Sequence, residues 1–256
     1  MSQGTPEPRL SIVIPAYNEA HRLPASLGKV VEFCGGLAFP HEILVVVEKS
    51  TDGTLELAMR AVSKQANFHV IDNQVQRGKG YAVRSGMLRA RGAHVFYMDA
   101  DLSVPLPEIL KFLDYFVRNP PVDVLIGNRK HAQSEIVVRQ NVLRRKMGEC
   151  FNGILQALTR IELRDTQCGF KAFRRDAARE IFTRQKLDGF AFDVEVLLLA
   201  ERLGFKCADL PVQWINSPES KVSIVRDSLK MLLDTLRVRR LVARTLRESP
   251  QKNHSR

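Results

Sequence analysis

Asp99 and Asp101 stand two residues apart in Met98-Asp99-Ala100-Asp101-Leu102, directly after the apolar run Val95 to Met98. In an extended backbone, residues i and i+2 point to the same side, which would aim both carboxylates at one point. Such a pair suits Mg2+ or Mn2+, which takes one or two protein carboxylates and completes its sphere with water and substrate phosphates. The other reading is an acidic strand-to-loop turn. Arg77-Gly78-Lys79-Gly80 offers complementary chemistry: two glycines let the backbone approach a ligand, and Lys79 brings a positive charge for phosphate at the opening of a helix. It is not a Walker loop, because G-x-x-x-x-G-K-[ST] is absent, and a flexible turn is the alternative. Arg129, after Gly127-Asn128, and the cluster Arg144, Arg145 and Lys146 could gather an anion or form a solvated basic face.

The first 130 residues supply the elements that must position these groups. Leu10 to Ile14, Ile43 to Val47, Phe68 to Ile71, Val95 to Met98 and Val122 to Ile126 read as strands. Helix-period apolar residues recur near 20 to 34, 53 to 66, 78 to 90 and 106 to 118. This alternation predicts an α/β fold, a mostly parallel Rossmann-like sheet with helices on both faces. Ligands bind beyond the carboxyl ends of such strands. Those ends read Pro15-Ala16-Tyr17-Asn18-Glu19, Glu48-Lys49-Ser50-Thr51-Asp52-Gly53, Asp72-Asn73 and Asp99-Ala100-Asp101-Leu102-Ser103. Carboxylates gathered on one edge repel one another unless a cation is present. Beyond about 131 the pattern is less regular. It shows a helix carrying Arg139 and Arg144 to Lys146, an irregular stretch from Asp165 to Lys171, and a helix near 192 to 203. A short strand around Pro211 to Ile215 and a final helix from about 222 to 247 follow.

The 256 residues suffice for one α/β domain with two functional halves, and the 45% hydrophobic and 26% charged fractions exclude disordered, fibrous and membrane-embedded classes. Cys34, Cys150, Cys168 and Cys207 lack C-x-x-C or zinc spacing, which reads as reduced thiols. Met1 to Arg9 is polar, with Pro6 and Pro8, unlike a secretory signal, and no uncharged apolar run approaches the roughly 20 residues that cross a bilayer. A cytoplasmic location is expected. Residues 221 to 256 hold ten Lys or Arg against three acids, +7 of the net +11, so only +4 falls on the rest. No aromatic residues interleave this basic stretch, which argues against nucleic acid.

Four segments stand in the order and spacing of glycosyltransferase family 2, with its GT-A fold. They are Pro15-Ala16-Tyr17-Asn18-Glu19, Ser50-Thr51-Asp52-Gly53-Thr54, Arg77-Gly78-Lys79-Gly80 and Met98-Asp99-Ala100-Asp101-Leu102. Asp165-Thr166-Gln167-Cys168-Gly169-Phe170-Lys171, Phe192-Asp193-Val194-Glu195 and Ser220-Lys221 resemble the branch of dolichyl-phosphate β-glucosyltransferases and other polyprenyl-phosphate glycosyltransferases. The resemblance implies a catalytic domain over 10–221, with a nucleotide-sugar half at 10–130 and an acceptor half at 131–221. It would lie between a disordered 1–9 and a basic helix and tail at 222–256. Pro15, Tyr17, Asn18, Glu19 and Asp52 would hold base and ribose. Lys79, Asp99 and Ala100 would complete the nucleotide site, and Asp101, with Asp99, would bind the metal. Gln167, Lys171 and Lys221 would lie on the acceptor side. Relatives usually carry Asp-Asp-Gly where this chain has Val47-Glu48-Lys49, so Glu48 would replace the carboxylate facing the base.

The branch inverts the anomeric centre of UDP-glucose onto a polyprenyl phosphate. With that acceptor, Arg129 and Arg144 would hold the attacking phosphate, while Asp193 and Glu195 would orient loops or cations. With a hydroxyl acceptor, Asp193 would be the general base. The last helix spaces Leu229, Leu232, Leu233 and Leu236 on one face and Arg237, Arg240, Arg244 and Arg247 on another. It fits either an anionic membrane surface or a solvated face of a packed helix. Relatives of this branch often carry a transmembrane anchor. Without one, peripheral attachment at the cytoplasmic membrane face or a soluble acceptor is expected. A nucleotidyltransferase would present a Gly-rich loop after the first strand, where this chain has Pro15 to Glu19. An inactive nucleotide-sugar-binding protein would not need both Asp99 and Asp101.

Overall fold

A computed structural model of the chain describes residues 7–134, 165–215 and 226–248, the last stretch with side chains at Asp234 and from Leu236 onward. Five strands and four helices alternate first: β1 (Leu10–Ala16), α1 (Leu23–Gly35), β2 (His41–Val47), α2 (Thr54–Val62), β3 (Phe68–Asp72), α3 (Lys79–Arg89), β4 (His94–Met98), α4 (Glu108–Arg118) and β5 (Val124–Asn128). After the undescribed 135–164 come β6 (Phe170–Arg174), α5 (Arg175–Arg184), α6 (Phe192–Arg202), β7 (Cys207–Pro211) and α7 (Arg226–Glu248).

The described strands form one sheet in the order β3-β2-β1-β4-β6-β5-β7. β1 pairs in parallel with β2 on one side and β4 on the other, so the strand order reverses between β1 and β4. That reversal opens the crevice where ligands of open α/β sheets sit. β6 runs antiparallel between β4 and β5. β1, β2 and β4 are buried almost throughout, as expected for strands covered on both faces. Successive residues of β4 show the two layers. The Phe96 ring meets Phe112 of α4 and Phe170, whereas the Tyr97 ring meets Phe182 of α5 and Phe192 of α6.

Two elements depart from the sequence reading. The Asp165–Lys171 stretch, expected to be irregular, runs into β6, whose Lys171 is fully buried and whose Arg174 donates to the carbonyls of Val122 and Phe116. Its charges masked a strand because each finds a partner inside the fold. The short strand expected at Pro211 to Ile215 lies earlier, with Pro211 as the last residue of β7, a position that tolerates a residue without an N–H. Among the described residues no helix is long and apolar enough to cross a membrane.

Candidate active site

The loops after β1 and β2 are tied to each other. Asn18 adopts the left-handed region at φ 52°, where its N–H donates to Ser50 Oγ (3.0 Å) and its Oδ1 accepts from Thr51 N (2.9 Å). Glu19 N donates to Thr54 Oγ1 (2.8 Å), and Asp52 accepts from Ala20 N (3.1 Å) and Thr54 N (3.2 Å). Burial raises the Asp52 carboxyl, but the bonds from Thr54 and Ala20 outweigh it and hold the group below its ordinary value. Pro15 pairs with Val46, Ala16 ends the parallel register against Val47, and Tyr17 follows, exposed at the rim.

Glu48, expected to face the base, also holds a neighbouring turn. It is 2% exposed, and its carboxylate accepts from Arg77 N (3.0 Å) and Gly78 N (2.9 Å). It therefore holds the turn that opens α3. The signal available in the sequence was an acid at a strand end together with a glycine-containing turn that needs its N–H groups satisfied.

Lys79 Nζ reaches Asp99 Oδ1 at 2.5 Å. Burial works against the Lys79 charge, yet Asp99, Asp193 and Asp101 together raise its affinity for a proton above the ordinary value. Asp99 and Asp101 are not an extended i, i+2 pair. Leu102 N donates to Asp99 O (3.1 Å) and Leu102 has φ 50°, so the two acids sit on a tight turn with the buried Ala100 between them. Leaving the sheet pairing that ends at Met98 frees the backbone to turn. Asp101 accepts from Ser103 N (3.0 Å) and faces Arg22 Nη1 at 3.9 Å. Sequence reasoning missed Arg22, which also forks onto Glu19 (Nη2 to Oε1, 2.7 Å). Burial opposes its charge, and Glu19, Asp101 and Asp99 hold the guanidinium above its ordinary value.

Among the described residues no group of three or more His, Cys, Asp or Glu could hold a metal ion. The turn does fit Mg2+ or Mn2+, which needs only one or two carboxylates when phosphates supply the rest. Glu19, Asp99 and Asp101 carry three negative charges against two on Arg22 and Lys79, leaving one net negative charge here. Asp101 is the better donor, since Asp99 is already paired at 2.5 Å.

On the other side of β4, Arg129 makes a two-pronged contact with Asp165 (Nε to Oδ2 and Nη2 to Oδ1, both 2.8 Å) and lies 5.6 Å from the Trp214 ring centroid. Burial opposes the Arg129 charge, and Asp165 raises it beyond the ordinary value. Gln167 lies partly exposed in the loop that leads from Asp165 to β6. Lys171, expected on the acceptor side, is 0% exposed, with Nζ on Cys168 O (2.7 Å) and on Asp193 Oδ1. It lies in the interior of the antiparallel β6, where Asp193 and the Cys168 carbonyl hold its charge. Tyr97 Oη donates to the same Asp193 oxygen at 2.5 Å, and burial followed by Asp193 pushes the phenol well above its ordinary range. Arg144, Arg145, Lys146 and Lys221 lie outside the described residues.

The fold and these motifs have known counterparts. The chain is 33% identical over 240 residues to a dolichyl-phosphate beta-glucosyltransferase of Dictyostelium discoideum, covering 90% of this chain and 73% of the relative. It is 30% identical over 246 residues to the Homo sapiens protein of the same name, covering 92% and 76%. Among solved structures, mannosyl-3-phosphoglycerate synthase from Rubrobacter xylanophilus superposes with a TM-score of 0.65 at 20% identity, covering 94% of this chain and 75% of that one. Glucosyl-3-phosphoglycerate synthase from Mycobacterium tuberculosis, solved with UDP, gives 0.61 at 18%, covering 90% and 80%. The family model for glycosyl transferase family 2 matches residues 11–182, which takes in the β1, β2, α3 and β4 segments of the site. The chain therefore belongs to glycosyltransferase family 2, an enzyme built on the GT-A fold.

Proposed function

We propose that the protein transfers glucose from UDP-glucose to a polyprenyl phosphate of the dolichyl type, inverting the anomeric carbon. The relatives' names supply the acceptor class and the sugar. A phosphate oxygen of the acceptor forms a bond to the sugar's C1 as the bond from C1 to the β-phosphate oxygen breaks, and UDP leaves with the electron pair. The acceptor monoester, with a second pKa of about 6, is already largely a dianion near neutrality and has no proton to lose.

The single observation that favours this acceptor is the state of Asp193. It is 4% exposed, and Lys171 and Tyr97 both engage its Oδ1, which supports a role in orienting the interior over one as a general base for a hydroxyl. In this reading the β1 and β2 loops, from Pro15 to Glu19 and at Asp52, hold base and ribose. The turn held by Glu48 presents Lys79 to the diphosphate. Arg129, oriented by Asp165, faces the acceptor phosphate. Asp101, with Asp99 beside it, would hold Mg2+ or Mn2+, whose Lewis acidity neutralises charge on the departing diphosphate. The division at residue 130 is then functional, with donor contacts before it and acceptor contacts after it. Work on a lipid phosphate puts the enzyme at the cytoplasmic face of a membrane, and the exposed Arg237, Arg240, Arg244 and Arg247 of α7 suit an anionic surface.

Glucose transfer to a short polyprenyl phosphate tests the proposal. Asp101→Asn and excess EDTA should each abolish turnover with the melting curve unchanged, and UDP-glucose should outcompete GDP-mannose. Undiminished turnover in EDTA overturns the metal assignment, and a preference for GDP-mannose overturns the donor. Efficient transfer to a free sugar hydroxyl, lost in Asp193→Asn, overturns the acceptor class.

A further inference from the structure

The segment from Gln185 to Ala191 joins α5 to α6 and lies against the Arg77–Gly80 turn. Gln185 Nε2 donates to Gly80 O (3.0 Å) and Leu187 O (2.7 Å), and Arg84 Nη1 donates to Gln185 O (2.8 Å). Asp188 O accepts from Tyr81 N (3.2 Å), and the Asp188 carboxylate accepts from Arg77 Nε (2.8 Å). The fit leaves no room: a Cβ on Gly80 would lie 2.5 Å from Leu187 O, and one on Gly78 would lie 2.6 Å from Asp188 O. The turn is therefore gripped on one side by Glu48 and on the other by the backbone of this segment.

Glu195, in the first turn of α6, sets that backbone. Its side chain is fully buried, with Oε1 accepting from Lys186 N (2.9 Å) and Oε2 from Leu187 N (2.7 Å). A carboxylate in the interior is tolerated only when its lone pairs are satisfied, and two charge-assisted bonds to adjacent amides fix the peptide between them. The next carbonyl along the chain, that of Leu187, abuts Gly80 and accepts from Gln185.

We infer that Glu195 is a positioning residue for the sugar donor: without touching it, Glu195 anchors the Lys186 and Leu187 amides, sets the Leu187 and Asp188 carbonyls that wall the Arg77–Gly80 turn, and so keeps Lys79 against Asp99. The inference rests on the reading of that turn as the diphosphate site. Burial pushes the Glu195 carboxyl up to about 7, against the Leu187 and Lys186 amides and the charges of Arg84 from α3 and Lys186. Protonation removes acceptor capacity from one oxygen, so the wall is firmest with Glu195 ionised.

The test is calorimetric titration of the full chain with UDP-glucose and Mg2+, without acceptor, at about pH 6 and about pH 8, on either side of the Glu195 carboxyl. The donor's diphosphate diester has no group titrating there. Glu195→Gln should weaken binding roughly tenfold at the higher pH, the worth of one buried charge-assisted hydrogen bond. It should also remove the wild-type tightening as pH rises. In steady state the loss should fall on donor KM and not on kcat. Gln185→Ala, which leaves α6 intact, should weaken the donor in the same direction, and it carries the test if Glu195→Gln fails to fold. Lys79→Ala separates the two readings. Undiminished affinity there overturns the diphosphate site itself. Weakened affinity there with wild-type affinity in Glu195→Gln and Gln185→Ala, or a loss confined to kcat, overturns the role of Glu195.

Discussion

Asp99 is pressed between a cation and a backbone. Lys79 holds one oxygen, and on the opposite side the carboxylate lies so close to Gly169 that a Cβ there would be 2.0 Å from Oδ2 and 2.5 Å from Cγ. Gly169 belongs to the loop before β6, so a residue from beyond position 130 limits where the Asp99 carboxylate can stand. Gly169→Ala should therefore swing Asp99 off Lys79 and lower transfer by at least about tenfold, because misplacement of about 1 Å at such a site costs up to about a hundredfold. Thermal melting should move little and donor KM should rise; wild-type kinetics would show that Asp99 can relax in place. Much of this chemistry was legible in residue types, since acids, glycines and a lysine at strand ends announce themselves. What could not be read was who holds whom. Glu48 reads as a base contact and its spacing does not show that its carboxylate also holds the Arg77 and Gly78 amides; Lys171 reads as an acceptor-side cation and its spacing does not show that β6 buries it against Asp193. Both facts depend on partners 22 to 30 residues away in sequence.

α7 shows the same limit for whole elements. Its position and amphipathic character follow from helical spacing, and the described part packs on α6 through Val238, Val242 and Thr245. The sequence reading left two places for the leucines, an anionic membrane surface or the interior of a packed helix. Leu236 is 52% exposed, and Leu229, Leu232 and Leu233 lie outside the described side chains. β-branched side chains are stiff at χ1, so those of Val238, Val242 and Thr245 lose little rotamer freedom when buried on that face. Arg237, Arg240, Arg244 and Arg247 remain exposed, with Arg244 also bonded to Glu248 (2.7 Å). At about 1 kcal/mol per basic residue near an anionic bilayer, replacing all four by Gln should reduce vesicle binding by two to three decades, roughly. Activity on a short, soluble polyprenyl phosphate should persist, because none of the four belongs to the sheet's carboxyl edge. Co-sedimentation with anionic vesicles checks this, and unchanged binding would assign the stripe to solvation alone. β6 was the element least visible in advance, since Phe170-Lys171-Ala172-Phe173-Arg174 mixes rings with charges that only the assembled sheet accommodates.

At the scale of the whole molecule, two buried groups pull stability in opposite directions with pH. His94 opens β4 with its ring 4.9 Å from that of Phe116 and, among the described residues, no hydrogen-bond partner on either ring nitrogen. Burial, then the charge of Arg174, lowers its pKa to about 4. The folded state thus binds this proton more weakly than the unfolded chain, whose imidazole titrates at about 6.5. The stabilisation is complete above the unfolded value and is lost as pH falls through about 4. Glu195, raised to about 7, acts with the opposite sign, and its contribution declines as pH climbs from about 4.5 through 7. Because the two contributions oppose each other over nearly the same window, the comparison that isolates His94 is the change in melting temperature between about pH 6.5 and pH 4 in wild type and variant. His94→Leu should remove from it an acid loss on the order of 2 kcal/mol; the same change in both would assign any acid loss to carboxylates alone.

The antiparallel strand at the centre of the sheet has a consequence for biosynthesis. β5 leaves the ribosome before β6, yet its partners in the sheet are β6 and β7, and β6 is also what covers the open edge of β4. Until Arg174 has emerged, the nascent chain carries an unpaired, strongly apolar β4 edge and a detached β5. Such edges recruit other strands. The segment up to β5, although contiguous in sequence, is therefore not a unit that synthesis can complete first, and its sheet closes only once β6 has been made.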